Sequence, residues 1–229
     1  MRSEEARHIA HIVAGIGLPP GCVCLNIGSS TRHFREVEQP HISADLIRPL
    51  EAKGLRFVHC DMKADDGVDL VGNVLDAEFL RRMADDCADL LFCCNILEHL
   101  TDPQAFAAAC ASLVRPGGYM VVTVPYSYPY HADPIDTMLR VDPQGLASFF
   151  PGWELMRGEV VESQTFLQES LAQPGGAARL GRHLLKVLMP FYRLRQWRTK
   201  AHRMLWLFRP YKISVALLRK PAAPPRVPS

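Results

Sequence analysis

The chain has 229 residues, 48% of them hydrophobic and 22% charged, with a formal net charge of +2. That length holds one sizeable domain with room for an appendage, and the composition excludes a disordered or fibrous chain. No apolar run approaches the ~20 residues of a membrane span. The opening segment MRSEEARHIAHIVAG carries Glu4 and Glu5 and lacks an apolar signal core, so the expected location is cytoplasmic.

The net charge hides a split. Every one of the 24 acidic residues lies at or before Glu169, whereas the 26 Lys and Arg residues divide evenly around that point. An acidic body followed by a purely basic region predicts two jobs, the second of them facing something anionic. The seven cysteines are irregularly spaced and set in apolar strand-like runs or helix-like segments. They read as packing residues; Cys22 and Cys24 lack the second pair or His cluster of a metal site, so no metal is expected.

In chain order, a helical pattern at 3–15 precedes a strand-like run at 22–27 (CVCLNI). Further strands are predicted at 56–61 (RFVHCD), 68–73 (VDLVGN), 89–94 (DLLFCC), 118–124 (GYMVVTV), about 153–161 (WELMRGEVV) and 211–218 (YKISVALL). The early runs are nearly continuous in apolar residues, as in strands covered on both faces. Helices are predicted at 76–86 and 102–114, the second with Asp102 as N-cap, Pro103 in its first turn and RPGG as its stop. Alternating strands and helices predict an α/β fold around a doubly wound, mainly parallel sheet. A long, basic, mostly helical insertion at 163–210, broken by Pro190, delays the final strand, and the proline-rich tail at 221–229 is expected to be disordered.

The motifs LNIGSST, DLLFCCNILEHL and LVRPGGYMVVTVPYSYPYHADPIDTMLR, with the late final strand, resemble the class I S-adenosylmethionine-dependent methyltransferase family, type 11-like. The resemblance covers residues 20–162 and 211–220. It implies a Rossmann-like sheet of seven strands whose last strand is antiparallel and inserted beside the fifth. It also implies a methyltransferase domain at 1–162 and 211–220, S-adenosylmethionine as cofactor, and methyl transfer as the activity.

The family's first loop carries an acid, any residue, then alternating glycines; here the acid is Asn26 and only Gly28 is kept, followed by Ser29 and Ser30. A tight strand-to-helix turn that lets backbone approach the cofactor is still within reach of one glycine and two small serines. For the acid that holds the ribose there are two candidates. Spacing from Gly28 favours Asp45 in HISADL, whereas the strand count favours Asp61 in FVHCDMK, and Asp61 is preferred. The same register puts Asn73 and Val74 at the end of the third strand, where the resemblance implies the adenine contacts. It puts Cys94 and Asn95 at the end of the fourth, at the mouth where the resemblance implies the sulfonium. Glu98 and His99 are expected to orient the next turn and loop more than to perform chemistry.

The segment after the fifth strand carries the acceptor-side candidates. His131 is the candidate general base, Asp133 or Asp136 would orient it, and Tyr126, Tyr128, Tyr130 and Arg140 would line the acceptor pocket. The same residues also read as a hydrogen-bonded lock for the loop. Their polarity points to O-methylation of a sugar, a glycan or a small polar metabolite. The rival reading is a non-catalytic cofactor-binding or scaffold protein whose glycine loop has decayed.

Residues 179–209 contain nine Lys or Arg and no acid, with Leu184, Leu188, Phe191 and Leu194 at three- and four-residue steps. An apolar stripe beside cations suits an anionic membrane surface, here the inner face. A lid or homodimer contact comes second. Nucleic acid comes last, since no reading module accompanies the charge.

Overall fold

The computed structural model describes residues 1–83, 88–188 and 194–222. The expectations attached to Cys87, Pro190, Phe191, the Leu194 side chain and the tail beyond residue 222 lie outside the described residues. All seven expected strands are present, in one sheet of order β3-β2-β1-β4-β5-β7-β6. They are β1 Val23–Ile27, β2 Arg56–Asp61, β3 Leu70–Val71, β4 Ala88–Cys94, β5 Val114–Ser127, β6 Glu154–Thr165 and β7 Pro210–Arg219. The first five pair in parallel. β7 is antiparallel to both of its neighbours, β5 and β6.

Period-two alternation along the central strands builds two cores. Leu90, Phe92 and Val121 face α1 (Ser3–Ala14), which contributes Ala6, Ile9, Ala10 and Val13. Leu91, Cys93, Met120 and Val122 face the opposite layer of α3 (Ala77–Met83) and α4 (Pro103–Leu113), packed by Phe79, Phe106, Ala107 and Cys110. Asp102 caps α4 by accepting from the amide of Ala105. The described cysteines are free thiols, and all but the half-buried Cys94 are buried.

Two elements depart from expectation. β3 is only two residues long, not six: it pairs with β2 at Leu70 and Val71 alone, where β2 ends at Asp61, and the Phe79 ring covers Gly72 just beyond, where a Cβ would meet it at 2.3 Å. The other departure is the stretch after the first loop, which is helical. Phe34–Glu38 and Ile42–Ile47 form π-helical turns, followed by α2 (Arg48–Glu51). Ile42, Leu46, Ile47 and Leu50 recur at helical steps and are each buried, Leu46 and Leu50 in the core beside α1. HISADL is therefore not a strand, and the second strand ends at Asp61.

Strand direction fixes where the insertion lies. β6 runs parallel to β5 and β7 runs back, so Thr165 and Pro210 both sit at the carboxyl edge of the sheet. The chain between them leaves and re-enters there as α6 (Phe166–Ala172), α7 (Gly176–Val187), α8 (Leu194–Arg203) and a 3₁₀ turn at Met204–Trp206. In open α/β sheets that is the ligand-bearing edge.

Candidate functional site

β1 delivers the first loop to the carboxyl edge, where Gly28 turns at φ +65° and a Cβ on it would come within 2.7 Å of the Ile96 side chain. Ser30 then adopts φ +54°, a left-handed conformation that glycine takes without cost. The chain keeps the backbone form of a glycine-rich turn with a serine at the second special position. Ser30→Gly is accordingly expected to stabilise the fold by about 0.5–1 kcal/mol. A urea midpoint that fell instead of rising would show that the serine side chain is needed.

The loop is held from two sides. The Ser30 amide donates to Asp61 Oδ2 at 2.7 Å, and the Lys63 amide donates to Asp61 Oδ1 at 3.0 Å. Each carboxylate oxygen keeps a second lone-pair direction, so Asp61 can still accept from a vicinal diol. From below, the buried Arg35 guanidinium donates to the carbonyls of Ser29, Ser30 and Gly67. Asp45 faces elsewhere: it lies in the helical stretch and pairs with Arg7 at 3.4 Å.

Asn26 bridges β1 to β2 through His59, with 3.2 Å between Nδ2 and the ring Nδ1. The amide can only donate there, so the imidazole is the Nε2–H tautomer, and burial pushes its pKa down to about 4. Asn73 is exposed, and its side chain accepts from the Leu75 amide in a turn. Val74 is buried in the core with Phe79. Cys94 and Asn95 end β4 as expected, and Asn95 takes φ +54°.

A residue that went unrecognised in the sequence explains Asn95. Glu5 of α1 is fully buried, and its Oε1 accepts from Asn95 Nδ2 at 2.8 Å and from Thr123 Oγ1 at 2.7 Å. Its Oε2 accepts from the Arg2 amide at 3.0 Å, closing a capping box. The signal was present: Glu5 sits four residues before Ile9, on the stripe that the apolar positions mark as buried. For Arg35 no comparable signal exists, because its partners are loop carbonyls.

On the acceptor side, the loop after β5 is clipped to the turn after β4. Thr137 donates to the Glu98 carbonyl through its amide at 2.8 Å and its hydroxyl at 3.0 Å. Asp136, not Asp133, meets His131: its Oδ2 accepts from the His131 amide at 2.9 Å and lies 3.3 Å from ring Nδ1. Arg140 Nη2 pairs with the same oxygen at 2.7 Å and helps hold the Asp136 carboxyl below its usual range, against the opposing pull of burial. Asp133 is exposed. Tyr128 packs against Tyr211 in a tilted pair with ring centres 4.7 Å apart, while Tyr126 and Tyr130 are exposed.

The insertion docks beside these groups. Glu169 of α6 is its hub, paired with Arg2 at 2.7 Å and Arg203 at 3.4 Å and accepting from the Tyr211 hydroxyl at 3.1 Å. Phe166, Trp206 and Tyr211 form a small core of their own. A cavity of about 300 Å³ opens between α6, α7 and α8, lined by Phe166, Glu169, Gln173, Arg179, His183 and Arg203. Leu185, Leu188 and Phe208 remain exposed on the outside. Among the described residues no helix is long and apolar enough to cross a membrane.

The sheet order, the first loop and the acid ending β2 define a Rossmann-like methyltransferase fold. Residues 48–122 match the family model described as a methyltransferase domain. The ubiquinone biosynthesis O-methyltransferase of Cupriavidus pinatubonensis is 35% identical over 74 residues, which are 32% of this chain and 29% of that protein. The matched stretch is thus less than a third of that relative's length. Among solved structures, a putative sarcosine dimethylglycine methyltransferase from Galdieria sulphuraria superposes with a TM-score of 0.56 at 14% identity, covering 97% of this chain and 85% of the other. The [4+2]-cyclase SpnF superposes with a TM-score of 0.54 at 15% identity, covering 95% and 82%. Over that matched third the chain resembles class I S-adenosylmethionine-dependent methyltransferases, and it shares the fold of the solved structures.

The site fits the family's cofactor, S-adenosylmethionine, at the loop and at Asp61. A Cβ at Gly28 would close the turn against Ile96, and the one carboxylate ending β2 faces the loop amide. It departs from the family at Asn26, which supplies no charge for the cofactor's ammonium.

Proposed function

We propose that the chain transfers the methyl group of S-adenosylmethionine to an oxygen of a small polar or glycan acceptor. The observation that supports this best is the conjunction at the carboxyl edge of the left-handed Gly28–Ser30 turn, the Asp61 carboxylate and the locked Asn95. Asn26, Gly28, Ser29 and Ser30 would receive the methionine end. Asp61 would take the ribose hydroxyls, Asn73 the adenine edge, and Cys94 and Asn95 would flank the sulfur. Val74 would act from beneath, by supporting the adenine loop from the core.

The cofactor supplies a carbon already activated by positive sulfur, so the protein's task is alignment, exclusion of water and removal of a hydroxyl proton. Proton uptake falls to His131, with Asp136 fixing it through its Nδ1, Arg140 fixing Asp136, and Glu98 and His99 beside it. Tyr126, Tyr128 and Tyr130 form the acceptor wall, and their hydroxyls suit an acceptor rich in hydrogen-bonding groups. Transfer to oxygen also agrees with the O-methyltransferase name of the curated relative; its part in ubiquinone biosynthesis supports a lipid-linked acceptor as the second reading.

Under either reading the insertion is a lid on the acceptor side, since it starts and ends at the carboxyl edge. Its outward face, with Leu185, Leu188 and Phe208 beside Arg and Lys, would lie on an anionic membrane. Calorimetry with S-adenosylhomocysteine on the full chain tests the central claim. One binding site is expected; no binding would leave a scaffold that kept the fold without its cofactor. Flotation with anionic vesicles at low salt tests the surface claim, and failure to float would remove it.

A further inference from the structure

We propose that Glu98, His99 and His131 form a three-ligand site for a divalent transition metal of the zinc, cobalt or iron kind, beside the end of β4.

The side chains are arranged as ligands are. One ligand atom from each of the three lies within 4.8 Å of the other two. His99 Nδ1 is 2.5 Å from the Ile135 carbonyl, which can only accept, so Nδ1 carries the proton and Nε2 carries the lone pair. His131 Nδ1 faces the Asp136 carboxylate at 3.3 Å and the Pro129 carbonyl at 3.4 Å, both acceptors, so its Nε2 is free in the same way. Both free nitrogens face one atom: Glu98 Oε1 lies 3.6 Å from His99 Nε2 and 4.0 Å from His131 Nε2. An imidazole whose far nitrogen donates to a carboxylate or carbonyl is the arrangement metal-bound histidines adopt.

The Glu98 carboxylate is the second, independent observation. Its side chain is 0% exposed, and neither oxygen has a hydrogen-bond partner. An unpaired buried carboxyl costs about 1–3 kcal/mol or more, and a dication between it and the two nitrogens would remove that cost. Bonds near 2.1 Å place ligand atoms roughly 3.0–3.4 Å apart, so the three side chains need to close by no more than about 1.8 Å.

The donor set selects the ion. Two imidazoles and one carboxylate suit first-row transition metals and leave positions open for water or substrate, whereas magnesium and calcium take oxygen. His131 is 35% exposed at its side chain, so the open positions face the acceptor side. Under the methyl-transfer reading, metal binding would replace His131 as the proton acceptor, because its Nε2 is then a ligand, and a hydroxyl bound to the metal would lose its proton to solvent more readily. Its oxygen lone pair would form the bond to the methyl carbon as the carbon–sulfur pair stays on sulfur. Only this last role rests on that reading; the binding site does not.

The test uses the full chain, stripped with chelator and titrated with Zn²⁺ and with Co²⁺ in the absence of cofactor. One equivalent should bind, and the Co²⁺ spectrum should lack a thiolate charge-transfer band. His131→Ala and Glu98→Gln should each weaken binding about 100-fold, and Asp136→Asn, a positioning change, about tenfold. His33→Ala, an exposed histidine elsewhere, should leave it unchanged. Far-ultraviolet dichroism checks that each variant folds; His131→Ala is the decisive one because its side chain is on a partly exposed loop. No stoichiometric binding, a thiolate band, or His131→Ala binding like the parent would each overturn the site. S-adenosylhomocysteine binding on the same stripped sample separates this failure from that of the methyltransferase reading.

Discussion

Asp61→Ala is expected to weaken S-adenosylhomocysteine binding about 100-fold in calorimetry. Two contributions combine. The Ser30 amide loses a charge-assisted bond of 2.7 Å, so the left-handed turn at Ser30 loses its tether. The ribose hydroxyls lose their acceptor at the same time. Hydrogen bonds to a charged group are worth about 1.5–3 kcal/mol each, and about 1.4 kcal/mol is a factor of ten in affinity. Part of the loss is recovered by water, which puts the net near 3 kcal/mol. Asp61→Asn keeps an acceptor oxygen without the charge and is expected to cost about tenfold. Asp45→Ala is the control, because Asp45 pairs with Arg7 in a helical segment away from the loop. Equal affinity of Asp61→Ala and the parent would discard the proposed ribose site.

Glu5→Ala is expected to destabilise the fold by about 3 kcal/mol, read from urea unfolding. The fully buried carboxylate satisfies Asn95 Nδ2, Thr123 Oγ1 and the Arg2 amide together. Each buried donor left alone costs about 1–3 kcal/mol, less for the Arg2 amide near the chain start, where water can replace the carboxylate. Glu5→Gln retains an acceptor for two of the three donors and should lose less than half as much. Asn95 should also leave its left-handed conformation in the alanine variant, since Glu5 is the partner that holds its side chain there. Cofactor affinity should then fall together with stability. A loss under 1 kcal/mol would mean that Glu5 is not the clamp between α1 and the ends of β4 and β5.

The fold was legible to an unusual depth in this chain, and the reasons are local. Continuous apolar runs such as DLLFCC, too short for a helix and bounded by turn signals, suit a strand covered on both faces. Asp102–Pro103 and RPGG bracket α4 by capping chemistry that needs no distant partner. The family motif around Asp89–Arg140 lies on contiguous elements, so its register survived. β3 was overextended because alternation in VDLVGN says nothing of where its partner β2 ends, which leaves only Leu70 and Val71 paired. The 34–51 helical stretch carried a signal, Ile42, Leu46, Ile47 and Leu50 at helical steps, but it is broken into short turns around Pro40 and Pro49, and only packing shows Leu46 and Leu50 against α1.

The site divides along the same line. The sequence by itself determined which chemical groups are available: one glycine in the first loop, the acid ending β2, the polar segment after β5, and a basic stretch with no acid in it. These follow from residue type and short-range periodicity, which act over a few residues. Only the tertiary structure decided that Ser30 is left-handed and tied to Asp61, that Glu5 is buried against Asn95, and that His131 turns toward Glu98 across more than thirty residues of chain. It also decided that the basic insertion begins and ends at the ligand-bearing edge, because that depends on the direction of β6 and β7. Long-range partners are set by how strands are ordered and helices packed. That ordering is a global minimum of burial and hydrogen bonding, which no local window of residues contains.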